Sequence, residues 1–199
     1  MKHRPVPPPT PSQTIGPFFP PHLIPPGAND LTSRAPGAPP ATGEVVLLSG
    51  RISGEGGKPA VNALIEIWQA DAAGRFDHPA DRRNTPVDRN FAFWGRARTD
   101  GEGGYRFRTI KPGSVDGASA PHISVTILGS GLMRRLVTRM YFPDATLNES
   151  DPLLRSLDEA RRRRLIARRK SPRGGEGEEL ALVFDIVLRG EGETPFLDD

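Results

Sequence analysis

The sequence contains no cysteine, which excludes disulfides and thiolate metal sites. Aromatic residues are few: two tryptophans, two tyrosines and nine phenylalanines among 199 residues. No apolar run approaches the roughly 20 residues of a membrane-spanning helix. The basic start MKHRPVPPP has no apolar stretch behind it, so neither a membrane anchor nor a secretory leader is expected. These absences predict a soluble cytoplasmic protein. GxSxG, GxGxxG, HExxH and the phosphate-binding P-loop are all missing. A large excess of one charge is missing too: 27 basic and 24 acidic residues leave a formal charge of +3, which does not by itself imply a polyanionic partner.

What the chain has in quantity is glycine and proline, 22 of each. Both end helices and make turns, so the composition favours a loop-rich β protein. Thirteen of the prolines fall in residues 1–43. That segment cannot form an interior strand or helix and reads as an extended N-terminal arm. Its stretch TPSQTIGPFF places Ile15, Phe18 and Phe19 in polar surroundings, where they need burial, and an arm packed on a neighbouring surface is expected.

From residue 44 to 199 the pattern is short β-type runs between turn signals, predicting an all-β domain, an antiparallel β-sandwich. EVVLLSGRI, ALIEIWQA (63–70), APHISVTIL (120–128), LVTRMYF (136–142) and ALVFDIVL (181–188) each read as one strand. GRARTDGEGGYRFRTI reads as a β-hairpin with arms at 95–99 and 105–110. One helix interrupts the strands: Asp151 is a fitting N-cap, Pro152 the first helical position, and 153–170 reads as a continuous helix. Leu153, Leu154, Leu157, Leu165 and Ile166 form its buried stripe.

The opposite helix face is basic, with nine basic and two acidic residues between Arg155 and Arg173. No aromatics for base stacking accompany it, so a solvated face is expected rather than a nucleic-acid site. Of the four histidines only His122 lies on a strand. Side chains of a strand share a face at i and i+2, and here i+2 is Ser124, a poor metal ligand. By pattern alone His122 reads as a hydrogen-bonded interior residue.

Several stretches together resemble the intradiol ring-cleaving dioxygenases: TPSQTIGPFF, LIEIWQADAAGRF (64–76), NFAFWGRARTDGEGGYRFRTIKPG (90–113), PHIS (121–124), RRLVTRMYFPD (134–144) and GEGETPFLDD (190–199). The resemblance implies a ferric ion held by two tyrosines and two histidines in the catalytic chains. It also implies what this chain has in their place. Phe76 occupies one tyrosine position, the loop 114–118 offers no second tyrosine, and the H-I-H triplet is His122-Ile123-Ser124. Tyr105 reads as packing, and Tyr141 sits in its strand away from the ligand positions.

The resemblance therefore implies a non-catalytic, iron-free subunit. Its expected partner is a homologous iron-bearing subunit within a large hetero-oligomer that cleaves 3,4-dihydroxybenzoate, an aromatic diol, with O2. It further implies that Thr14, Gly16 and Pro17 line the partner's substrate cavity. Gly129-Ser130-Gly131 departs from a family pattern with arginine at the middle position, which leaves another catechol open as substrate. A stand-alone binding module, and an iron enzyme with an unusual ligand set, are the other readings.

Overall fold

The computed structural model describes residues 19–35, 37–170 and 179–197. Thr14, Gly16, Pro17 and Phe18 lie outside them. Two sheets pack face to face. The first has strand order β4 (Gly104–Ile110), β1 (Val45–Ser53), β8 (Leu180–Val183) and β7 (Arg168–Arg169), with β9 (Ile186–Val187) also paired to β1. The second has order β3 (Trp94–Arg98), β2 (Leu64–Trp68), β5 (His122–Leu128) and β6 (Leu136–Tyr141), antiparallel throughout. The core lies between them, where period-two alternation sends Val46, Leu48 and Ile52 of β1 inward against Ile65 and Ile67 of β2 and Ile123, Val125 and Ile127 of β5.

The expected hairpin at 95–110 is not one. β3 pairs with β2, whereas β4 pairs with β1 in the other sheet, so the Gly-rich turn carries the chain across the sandwich. The reason is the proline-rich segment. Arg96 N donates to Ala28 O, Arg108 N to Asn29 O, and Leu31 N to Arg108 O. Residues 28–31 thus take the edge groups through which β3 and β4 would otherwise meet, and they seal both sheet edges. Leu31 is wholly buried in the main core.

Phe19 is also buried within this chain, at 7% exposure. Its need for a neighbouring surface, expected from sequence, is met by the chain's own residues.

The predicted single helix is two. Helix α1 (Pro152–Ser156) ends at Leu157, and α2 (Glu159–Arg164) starts afresh with Asp158 as N-cap, its carboxylate accepting from Arg161 N. An aspartate able to cap satisfies new helix N–H groups and so breaks the run. Residues 168–169 are strand rather than helix. The apolar stripe survives the break: Leu154 and Leu165 are buried with Ala120 and Tyr141, and Leu153, Leu157 and Ile166 pack against them. The strand expected at 181–188 divides into β8 and β9, although Leu182, Phe184 and Ile186 keep facing the core.

The basic segment that runs from α1 through α2 to β7 is partly self-neutralised. Arg163 pairs with Glu159, Arg168 with Asp185 and Arg169 with Asp144. No helix among the described residues is long and apolar enough to cross a membrane.

Candidate functional site

The outer face of the second sheet presents a row of cross-strand partners. Trp94 opposes Trp68, Trp68 opposes Ser124, and Ser124 opposes Arg139. Two residues before Ser124, on the same face, His122 opposes Tyr141. Both tryptophans are more than 40% exposed. This face rather than the core holds the chain's unusual side chains.

A loop after β2 carries Phe76 to that row. Buried Asp71 shapes its start, one carboxylate oxygen accepting Ala73 N and Arg75 N at 2.9 Å each, the other accepting Asp88 N at 3.0 Å. The Arg75 side chain is buried; its Nε donates to Asp81 at 3.0 Å, and its terminal nitrogen donates to the carbonyls of Arg83 and Thr85. Arg83 in turn donates to Asp81, to Gly74 O and to Val115 O. The Arg83 guanidinium holds the Asp81 carboxyl far below the usual carboxylate range, with the Phe76 N–H assisting. The loop is therefore pinned by charge-assisted bonds to two separate segments.

Gly74 permits the closest of these approaches. It sits at φ +75°, and a Cβ there would lie 2.0 Å from Ser114 O. The loop 114–118 is thereby laid beside the Phe76 loop. The result is a cleft of about 350 Å³ lined by Trp68, Phe76, His78, Arg82, Arg83 and Val115. Phe76 stacks on Trp68 with centroids 4.4 Å apart, and His78 stands edge-on to the indole at 6.4 Å.

Of the four positions singled out by family resemblance, Phe76 and Val115 of the 114–118 loop line the cleft; Ser124 is the cross-strand partner of its tryptophan wall and His122 shares that sheet face, but neither lines the cleft. A ferric site does not fit them. Phe76 has no oxygen, Val115 is aliphatic, and among the described residues no group of three or more His, Asp or Glu side chains is placed to share a metal ion.

His122 is engaged as a structural residue. Its Nδ1 lies 2.8 Å from Ala120 O, so that nitrogen carries the proton, because a carbonyl only accepts. Burial pushes the imidazole below its ordinary value and keeps it neutral.

Tyr141 corrects the sequence reading. It is not remote from the ligand positions: its ring lies 5.5 Å from that of His122. Burial pushes its phenol up to about 12, and its hydroxyl donates to Asp151 at 3.2 Å. It remains a neutral phenol hydrogen-bonded to a carboxylate. Tyr105 is packing, as expected, with its hydroxyl donating to Phe184 O at 2.5 Å. What the sequence reading missed was Trp68, the wall that joins the cleft to the β5 strand; its place two residues before Ala70 in the quoted WQA motif was the available signal.

Ser130 lies beyond the far end of β5 from His122, roughly 20 Å away along the strand, and so belongs to no part of this cleft. A larger groove of about 1040 Å³ crosses the first sheet between Ile24–Gly27 and Val183. Its carboxylates are already engaged, Asp100 by turn N–H groups and Asp185 by Arg168 and Arg51 N. It offers no comparable constellation.

Comparison with known proteins agrees with this geometry. A family profile described as Dioxygenase matches residues 15–190. The α chain of protocatechuate 3,4-dioxygenase from Burkholderia cepacia is 36% identical over 95% of this chain and 96% of its own length. The β chain from the same organism is 44% identical over a shorter span, 84% of this chain and 74% of its own. Among solved structures, the dioxygenase domain of a carbohydrate-binding fusion protein from Streptomyces sp. SirexAA-E superposes with a TM-score of 0.61 at 29% identity, covering 94% of this chain and 99% of that domain. The chain belongs to the intradiol dioxygenase family.

Proposed function

We propose that this chain is the α-type, iron-free subunit of a protocatechuate 3,4-dioxygenase. Its partner is a homologous β-type chain that holds ferric iron and cleaves 3,4-dihydroxybenzoate. The ring bond between the two hydroxyl-bearing carbons breaks, both atoms of O2 enter the product, and 3-carboxy-cis,cis-muconate results. The iron of the partner supplies the activation of the diol towards oxygen.

The observation that carries this reading is the stack of Phe76 on Trp68. The position where a phenolate would reach a metal is filled by a ring with no oxygen, and Ser124 stands beside it in place of an imidazole. The end-to-end match to α chains supports the same assignment. The higher identity to a β chain favours a chain that itself carries iron, but identity spread over the fold does not restore the missing donor atoms. The burial of Phe19 in this chain removes one argument against a stand-alone binding module; the existence of paired α and β relatives favours the subunit.

In this reading Thr14, Gly16 and Pro17 line the partner's substrate cavity, and the pair works in the cytoplasm. Glycine permits close approach of backbone to an aromatic ring, and proline presents a fixed wall. Co-expression with the homologous chain tests the pairing: a stable complex that turns over 3,4-dihydroxybenzoate is expected, and failure to associate contradicts the assignment. Gly16→Val should lower turnover in that complex while its iron content stays unchanged. Normal kinetics would remove the arm from the site.

A further inference from the structure

The cleft that cannot hold iron retains the parts of a ligand site. Its wall is Trp68, which is stacked on one side by Phe76 yet remains 43% exposed. Its volume of about 350 Å³ falls within the range of about 300–1,000 Å³ typical of small-molecule clefts. Val115 and Ala80 extend the apolar lining.

Two polar groups at the cleft are donors. His78 Nδ1 accepts from Ala80 N at 3.1 Å, which leaves the ring proton of the neutral imidazole on Nε2. Arg82 lines the cleft and its side chain has no hydrogen bond or ion pair with any described residue. The other charges lining it, Asp81 and Arg83, are spent: both Asp81 oxygens accept from Arg83, and Asp81 also accepts from the buried Arg75 behind the cleft. The network that consumes them also fixes the loop, so the aromatic wall is held in place before any ligand arrives.

We infer that this cleft binds an aromatic carboxylate of benzoate type without a metal, its ring against Trp68 and its carboxylate on Arg82 and the His78 N–H. A planar ring matches the exposed indole face. An anion matches Arg82, the cleft-lining cation with no partner among the described residues, through a charge-assisted bond. A neutral or cationic aromatic would leave that guanidinium unanswered. The site stands on this chain's own residues and does not depend on which subunit performs ring cleavage.

The chain contains only two tryptophans, Trp68 and Trp94, and only Trp68 lines the cleft. Incorporation of 5-fluorotryptophan into the full-length chain therefore gives one fluorine resonance inside the site and one reference beside it, assigned with Trp94→Phe. Benzoate should move the Trp68 resonance along a saturable curve with a Kd on the order of a millimolar or tighter. Benzamide, with the same ring and no charge, should bind at least about 10-fold more weakly, and Arg82→Ala should weaken benzoate by a similar factor. Unshifted resonances in ligand-free Arg82→Ala show that its fold is kept. A linear or absent response to benzoate, equal affinity for benzamide, or an unaffected Arg82→Ala variant would each overturn the proposal. So would assembly with the homologous chain that shifts the Trp68 resonance and abolishes the benzoate response, since the cleft would then be filled by the partner.

Discussion

Trp68 and Ser124 oppose each other across β2 and β5, and Phe76 lies stacked on that same indole. Two positions that the family resemblance marks as metal-ligand positions therefore meet at one indole, with His122 two residues from Ser124 on the same strand face. In the proposed reading this is the scaffold of a metal site without its donor atoms.

Returning the donors should return the metal. Phe76→Tyr combined with Ser124→His gives a phenolate and a second imidazole beside His122, a ligand set suited to a hard ferric ion. The double variant is expected to take up ferric iron and develop the visible absorption of phenolate-to-iron charge transfer. Each single variant should stay colourless. A colourless double variant would show that the loop places residue 76 too far from β5.

Asp151 should matter to stability more than any surface ion pair. It is buried, and its carboxylate accepts from Ala120 N at 2.9 Å, from Leu153 N and Leu154 N at 3.0 Å, and from Tyr141 Oη at 3.2 Å. Asp151→Ala leaves several of these donors buried without a partner, at a cost of about 3 kcal/mol or more. Asp151→Asn, which keeps an acceptor oxygen, should lose less. Urea denaturation of the two variants checks the order.

His122 gives the stability a pH dependence of known sign. Burial holds its folded pKa below 6.5, the ordinary value. The unfolded state then takes up the proton first, so the stability associated with the neutral imidazole is complete above about pH 6.5 and is lost as pH falls towards the folded pKa. The urea midpoint should decline between about pH 7 and pH 5, and His122→Gln should flatten that decline. A midpoint that rises over this interval would contradict the burial argument.

Gly50 tests the close approach of neighbouring segments within the first sheet. A Cβ at this position would stand 1.9 Å from Phe184 O and 2.7 Å from the Tyr105 ring. Neither can retreat easily, because the two are bonded to each other through the Tyr105 hydroxyl. Gly50→Ala should destabilise by about 3 kcal/mol or more, measurable as a lowered denaturation midpoint.

The sequence made the strands legible because alternation of apolar residues is a local signal, and β1, β2, β5 and β6 fall where it points. Partnership is not local. The segment 95–110 looked like a hairpin, and only the insertion of residues 28–31 between its two arms explains why β3 and β4 join different sheets. The helix at 153–170 failed for a smaller reason: Asp158 was an N-cap inside an apparently unbroken run. At the site, the identities of Phe76, His122 and Ser124 were readable, but their shared surface was not. That surface depends on Gly74 passing Ser114 and on the Arg75, Asp81 and Arg83 bonds, none of which has a sequence pattern. The placement of Tyr141 beside His122 likewise follows from β5–β6 register.

The central claim is that iron belongs to the partner and not to this chain. It is tested most directly by separating the two chains of the active complex under conditions that retain metal, then measuring the iron in each by elemental analysis. Iron and its visible colour should remain with the homologous chain, and this chain should be colourless and metal-free. Stoichiometric iron on this chain, with phenolate-to-iron absorption, would contradict the account.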